Sequence, residues 1–273
     1  LRFHPRAYAR GFSRRGIKTA MQKRIKIKKV EEIKKMQEGG KKLADIKDKL
    51  SRLIKEGISA WEVEMTASEL IQKKGGEPSF KMVPGYSWTT CVNVNEGVVH
   101  GIPKKETVFA KGDIISVDVG MFFSGFHTDT SFSLGISPSR QTSIFLESGK
   151  KALKSAIKQA KVGNRVYDIS KTIETSLEGD GLTPIKALVG HGIGRDLHEE
   201  PSIPCFTQGP RSVSPLIPEG AVLAIEVMYT KGSSDVTLAE DGWTITTSDG
   251  KIAALFEETV AVTGNGPLIL TAN

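Results

Sequence analysis

Five side chains carry the chemistry this sequence could do: Asp118, Asp129, His191, Glu226 and Glu257. Each falls in a segment that reads as a buried strand or a Gly-rich loop. Burying an isolated carboxylate is costly unless it is paired or coordinates a metal, and no cluster of Lys or Arg stands beside them in the local sequence. Two divalent cations would balance the four carboxylates, with a bridging hydroxide leaving the site near neutral. That balance points to the chemistry of a dinuclear metallohydrolase.

The elements that must position these groups are legible in turn. Asp113–Met121 alternates and is β-branched, Phe123-Ser-Gly125 is a turn signal, and Phe126–Leu134 returns as a second strand. With the loop centred near Phe123 and Ser124, Asp118 and Asp129 face each other across an antiparallel pair. Like charges so placed repel unless something positive lies between them. The alternative is a register off by one, with one Asp in solvent. Next comes Gly190-His-Gly-Ile-Gly-Arg-Asp-Leu-His-Glu-Glu-Pro201. Its glycines around His191 permit close backbone approach, and His198 follows seven residues later. The apolar run Ala221–Tyr229 is interrupted by Glu226 alone, and Ile252–Val262 by Glu257 and Glu258. Strand side chains alternate, so one of the last two points inward; the pattern does not say which.

With these blocks in place, the chain resembles the methionine aminopeptidases, type I branch. Asn95-Glu-Gly-Val-Val-His-Gly-Ile-Pro103, Gly190–Pro201, Ile225-Glu226 and Asp241-Gly-Trp-Thr244 match that family's blocks in order, over about residues 22 to 272. The resemblance implies the α+β pita-bread (creatinase/aminopeptidase) fold, with pseudo-two-fold halves, a central antiparallel sheet and outer helices. It implies that Asp118 chelates one metal, that Asp129 and Glu257 bridge both, and that His191 and Glu226 complete the second. It selects Glu257 over Glu258, which stands where family members often have His. Mixed carboxylate and imidazole ligation suits Mn, Fe, Co or Zn. Two such ions, about 3.5–4 Å apart, would activate a water. Glu226 resembles the residue that moves the proton, and His100 and His198 resemble the histidines that bind the substrate amide and stabilise the tetrahedral intermediate. The expected substrate is a nascent polypeptide beginning with Met, followed by a small residue.

By the same resemblance the methionine pocket falls to Tyr86, Cys91, Leu197 and Trp243, with Phe80 and Val83 as further candidates. Leu197 replaces an aromatic residue common in the family, and Val83 stands where many relatives carry Tyr; either departure would loosen the pocket. Xaa-Pro aminopeptidases and prolidases share the metal residues but usually add an N-terminal domain, for which Asp118 arrives too early. A pita-bread protein that has lost its metals and serves only as a binding module is disfavoured, because all five ligand positions hold competent residues.

Length and composition bound the rest. A chain of 273 residues supports one large core, and a single catalytic domain is expected over residues 22–273. Two cysteines, Cys91 and Cys205, exclude a disulfide framework and suit a reducing cytoplasm. No apolar run approaches the roughly 18 residues of a membrane span. Helical periodicity runs from Val30 to Leu53 and through 141–161 and 165–178. Type I relatives are generally monomers, so a monomer is expected. The net charge of +7 hides a division: residues 1–55 hold 19 Lys and Arg against 5 Asp and Glu, while the rest of the chain is acidic. Residues 1–21 are expected to form a basic extension without stable structure. Residues 1–20 read as a misassigned extension ahead of the normal start at Met21, in preference to an organelle-targeting peptide or an arm reaching rRNA. Lys23 to Lys55 would lend weak, salt-sensitive attraction to the ribosome.

Overall fold

Apolar residues recurring at helical spacing, Met36, Leu43, Ile46 and Leu50, line the buried face of α1 (Val30–Leu53). The computed structural model describes residues 24–273, so the extension expected over residues 1–21 lies outside the described residues. α2 (Ala60–Lys73) starts at a capping box in which the Glu62 carboxylate accepts from Ser59 N at 2.8 Å and the Ser59 hydroxyl accepts from Glu62 N at 3.3 Å. That Ser-x-x-Glu signature was present in the sequence, but the periodicity reading did not mark this helix. α3 (Arg140–Ile157) and α4 (Val166–Gly179) form where 3.6-residue periodicity predicts them.

Among the described residues, thirteen strands accompany the four α-helices. In chain order they are β1 (Glu77–Pro78), β2 (Thr90–Val94), β3 (Gly97–Val99), β4 (Ile114–Phe123), β5 (Phe126–Gly135), β6 (Thr183–Pro184), β7 (Val189–Gly192), β8 (Glu199–Pro204), β9 (Val222–Thr230), β10 (Val236–Leu238), β11 (Ile245–Thr247), β12 (Ala253–Thr263) and β13 (Gly266–Ile269). The main sheet runs β1-β4-β5-β12-β9-β7-β8, with β2 on β4, β6 on β9 and β13 on β12; a small sheet orders β10-β11-β3. Every pairing is antiparallel.

Each half of the chain supplies two helices and then strands. One core packs α1 and α2 against β4, through residues such as Leu43, Ile71, Val117 and Val119. The other packs α3 and α4 against β9 and β12, through Ile169, Ile173, Val227 and Phe256. The helices thus cover one face of the sheet in both halves, which is the pita-bread arrangement. No helix among the described residues is long and apolar enough to cross a membrane.

The β4–β5 hairpin corrects one expectation. Its tip is Ser124-Gly125, with φ of 52° and 86°, a two-residue loop with both φ positive as in a type I′ turn. Phe123 therefore pairs with Phe126, Asp118 with Ser131, and Asp129 with Gly120. The two aspartates are diagonal, not opposed. The tip lies one residue beyond the expected centre, which moves the register by two and preserves parity, so both still point to the same face.

Candidate metal centre and cleft

Two adjacent rungs of the sheet, on the face away from the helices, gather all five candidate ligands. The first rung crosses five strands: Cys91 pairs with Asp118, Asp118 with Ser131, Ser131 with Glu257, and Glu257 with Glu226. The second lies two residues along. Gly120 pairs with Asp129, Thr259 with Ala224, and Ala224 with His191. Thr259 joins these pieces, because its hydroxyl accepts from Asp129 N at 2.9 Å and donates to Asp129 O at 2.7 Å. Neighbouring strands are about 4.8 Å apart, so side chains on these rungs converge. Ligand atoms of Asp129, His191 and Glu257 all lie within 4.8 Å of one another. The carboxyl groups of Asp118 and Asp129 touch, and His191 Nε2 lies 3.5 Å from Glu226 Oε1.

This crowding has a clear electrostatic signature. Burial, then the charge of Asp129, pushes Glu226 well above the usual carboxylate range. Burial and the neighbouring acids do the same to Glu257 and Asp118. Burial lifts Asp129 to about 7. Asp118 Oδ1 and Glu257 Oε1 are buried without any hydrogen-bond partner, a state that protein interiors rarely tolerate. Oxygen-rich donors with buried, unsatisfied atoms and one imidazole fit a site for divalent cations, whose charge would reverse the local proton preference.

His191 is oriented for such a role. It sits on strand β7, not in a loop, and its Nδ1 lies 2.9 Å from Gly192 O, so Nδ1 carries the proton and Nε2 faces the acids. Burial lowers the ring to about 4. The next glycine is required by close approach: a Cβ at Gly192 would fall 2.2 Å from Glu200 O.

His100 and His198 flank the rungs. His100 has φ of 59°, a left-handed conformation that side chains other than glycine seldom adopt and that often marks functional sites. It is held there by Gly101, whose N donates to Asn93 Oδ1 at 2.9 Å and whose O accepts from Val92 N at 2.9 Å. His100 Nδ1 is buried and unpartnered, and burial lowers the ring to about 4. The His198 ring stands edge-on to His191, with centroids 4.5 Å apart, while part of the residue remains open to solvent.

The pocket candidates cluster beside this centre. Tyr86, Cys91, Leu197 and Phe80 are buried in one apolar group, with Val83, Trp88 and Trp243 packed against it. Tyr86 presents edges to Trp243 at 5.0 Å and to Phe80 at 6.4 Å, and its hydroxyl contacts Cys91 Sγ at 3.2 Å. Trp243 is set by the Asp241 carboxylate, which accepts from Trp243 N at 3.0 Å and Thr244 N at 2.8 Å. Gly120 lets Phe80 reach the second rung, since a Cβ there would fall 3.0 Å from Phe80 Cε1.

The geometry settles the Glu257/Glu258 alternative. Glu257 joins the rung. Glu258 points to the opposite face, where its carboxylate accepts from Lys47 at 2.6 Å, from Thr271 Oγ1 and from Thr130 Oγ1. Sequence reasoning missed Ser131, which lies between Asp118 and Glu257 with its buried hydroxyl unpartnered. Strand parity would have found it, since it stands two residues after Asp129. It also missed His127, which is on the same face of β5 and contacts Ser79 Oγ at 2.9 Å.

Comparison with known proteins agrees with this geometry. Residues 34–264 match the model of metallopeptidase family M24. The chain is 40% identical to methionine aminopeptidase 1 of Bacillus subtilis over 237 residues, covering 86% of this chain and 94% of that one. It superposes on the crystal structure of methionine aminopeptidase from Thermotoga maritima with a TM-score of 0.88 and 40% identity, over 92% of this chain and all of that one. A prolidase from Pyrococcus horikoshii shares the fold at a TM-score of 0.72, with 21% identity over 90% of this chain and 63% of that one.

Proposed function

The chain belongs to metallopeptidase family M24 and acts as a methionyl aminopeptidase, and from that premise we propose how its residues divide the work. Residues 22–273 form one catalytic domain. Asp118, Asp129, His191, Glu226 and Glu257 hold two divalent cations, with Mn, Fe, Co and Zn all compatible with the donors. The observation that carries this is the pair of orphaned oxygens, Asp118 Oδ1 and Glu257 Oε1, within a face of mutually repelling acids. Bound there, the cations would supply an activated water and polarise the scissile carbonyl.

The remaining steps belong to the chain's own groups. Glu226, at the end of the first rung, takes the proton of the attacking water and returns it to the leaving amine. His100 and His198 hydrogen-bond the substrate amide and the oxygen that gains charge as the carbonyl becomes tetrahedral. The substrate's free α-amino group binds on the Asp118 side, which is also the Cys91 end of the rung. The methionine side chain therefore enters the apolar group around Tyr86, Cys91, Leu197 and Trp243. Anchoring the amine at one end restricts cleavage to the first residue.

The substrates are nascent proteins beginning with Met and a small second residue, met in the cytoplasm by a monomeric enzyme. Cys91 and Cys205 are both free and buried, in keeping with a reducing compartment. The basic N-terminal segment would add weak attraction to the ribosome. Metal-loaded protein should release Met from Met-Ala-Ser and leave Met-Lys peptides largely intact; faster turnover of an Ala-Pro peptide would move the assignment toward prolidase-like specificity.

A further inference from the structure

The segment ahead of α1 is tied to the loop that carries His198. Lys28 N donates to Gly220 O at 2.8 Å. Its ammonium donates to Glu199 Oε2 at 2.6 Å and to Lys26 O at 3.2 Å. The other oxygen of that carboxylate, Oε1, accepts from Arg195 N at 3.0 Å and Asp196 N at 3.3 Å. One carboxylate therefore closes the 195–199 turn with one oxygen, which the exposed Lys26 ammonium also approaches at 3.5 Å, and receives Lys28 with the other.

The chain makes room for this pair. A Cβ at Gly194 would fall 2.4 Å from Lys28 Cε and 2.9 Å from Glu199 Oε1. The side chains of Lys28 and Glu199 are 5% and 0% exposed. Exposed pairs from Lys26 to Asp196 and from Arg195 to Glu32 flank it, and such surface bridges stabilise little.

A buried ion pair is weak evidence for stability, because desolvation offsets most of its attraction. What a buried pair with divided hydrogen bonds does supply is a fixed geometry. Here the geometry it fixes is the turn between β7 and β8, which ends with Leu197 and His198. The His198 ring, 4.5 Å from that of His191, is adjacent in sequence to the residue the lysine holds.

We propose that Lys28 is a positioning residue for turnover: acting through Glu199, it sets the loop that presents His198 to the reacting carbonyl. The strap before α1 is then part of the catalytic apparatus and more than a lead into the helix. This rests on the role given to His198 above.

The test is a double-mutant cycle on the full metal-loaded chain, with Met-Ala-Ser as substrate, alongside thermal unfolding and calorimetric Mn²⁺ titration. Lys28→Met should lower kcat by about 10- to 100-fold, the size expected of a displaced catalytic group, with KM and Mn²⁺ affinity little changed. In a His198→Ala background the same substitution should have almost no further effect on kcat. Equal losses in both backgrounds, or no loss in the parent, would overturn the inference. If Lys28→Met does not fold, the comparison is made with Lys28→Met/Glu199→Gln. That pair leaves no lone buried charge and still accepts from the two backbone N–H groups, but lacks the tether. Its kcat should stay low while its melting temperature recovers; joint recovery would mean the pair serves stability alone. Unchanged kcat in His198→Ala by itself would refute the role of His198, a failure distinguishable from that of Lys28.

Discussion

Glu257 and Glu258 are consecutive on β12 and live in opposite electrostatic worlds. Glu258 faces the helix side, where Lys47, Thr130 and Thr271 satisfy its carboxylate, and Lys47 also donates to Thr271 O at 3.0 Å. Glu257 faces the cleft among three other acids, with one oxygen unpartnered. The outer face is complete with the protein's own groups, whereas the inner face keeps unpartnered oxygens that the proposed cations would satisfy. Side-chain satisfaction separates the two: Glu258 has its partners within the protein, and Glu257 keeps an oxygen without one.

The sharpest way to break this contrast is to neutralise each acid. Glu257→Gln or Asp129→Ala should reduce turnover of Met-Ala-Ser by more than the roughly 100-fold expected of a residue outside a metal's immediate ligands. Full activity in Asp129→Ala would be incompatible with the site described here.

Metal should act on stability through the inner face alone. A carboxylate whose folded pKa is raised binds more protons folded than unfolded, so its contribution is lost as pH rises through the folded value. The buried histidines, lowered to about 4, oppose this below their unfolded value of about 6.5 and are silent above it. Metal-free protein should therefore lose melting temperature as pH rises from about 6.5 through the value near 7 of Asp129. Divalent metal should flatten that slope and raise the transition, by about 2.7 kcal/mol at a hundredfold excess over Kd. A metal-free protein whose stability is flat across this window would contradict the crowding of acids.

On the outer face, Lys47→Met leaves the part-buried Glu258 without its ammonium and should cost about 1–3 kcal/mol in denaturant unfolding, with kcat unchanged within about twofold. Glu258→Gln keeps hydrogen-bonding capacity and should cost less, about 1 kcal/mol. A large loss of turnover in either would merge the two faces and remove the distinction.

Much of this was readable before any coordinates. Alternation over 113–121 and the apolar runs 221–229 and 252–262 placed the acids on strands, and parity kept Asp118 and Asp129 on one face even though the hairpin tip lay one residue further along than expected. The Ser-x-x-Glu box of α2 is equally local, but the segment it opens has weaker helical periodicity than α1, α3 or α4. Ser131 shares the face of Asp129 by strand parity, but its residue type signals no role until its neighbours across the rung, Asp118 and Glu257, are known. The pairing of Lys28 with Glu199, separated by 171 positions, could not be seen at all, since periodicity reports local geometry and says nothing of which distant elements meet.

Residue type and two-residue spacing alone determined that the acids would lie on strand faces, because side-chain direction follows from the backbone period, whereas the strand that carries His191 came only with the fold. Only the folded sheet decided that β4, β5, β12, β9 and β7 stand side by side, so that five groups from four separate stretches of chain fall on two rungs. It also decided which of two adjacent glutamates meets a lysine and which meets other acids. Strand order is a long-range choice, made by how the two apolar cores close, and no local pattern encodes it.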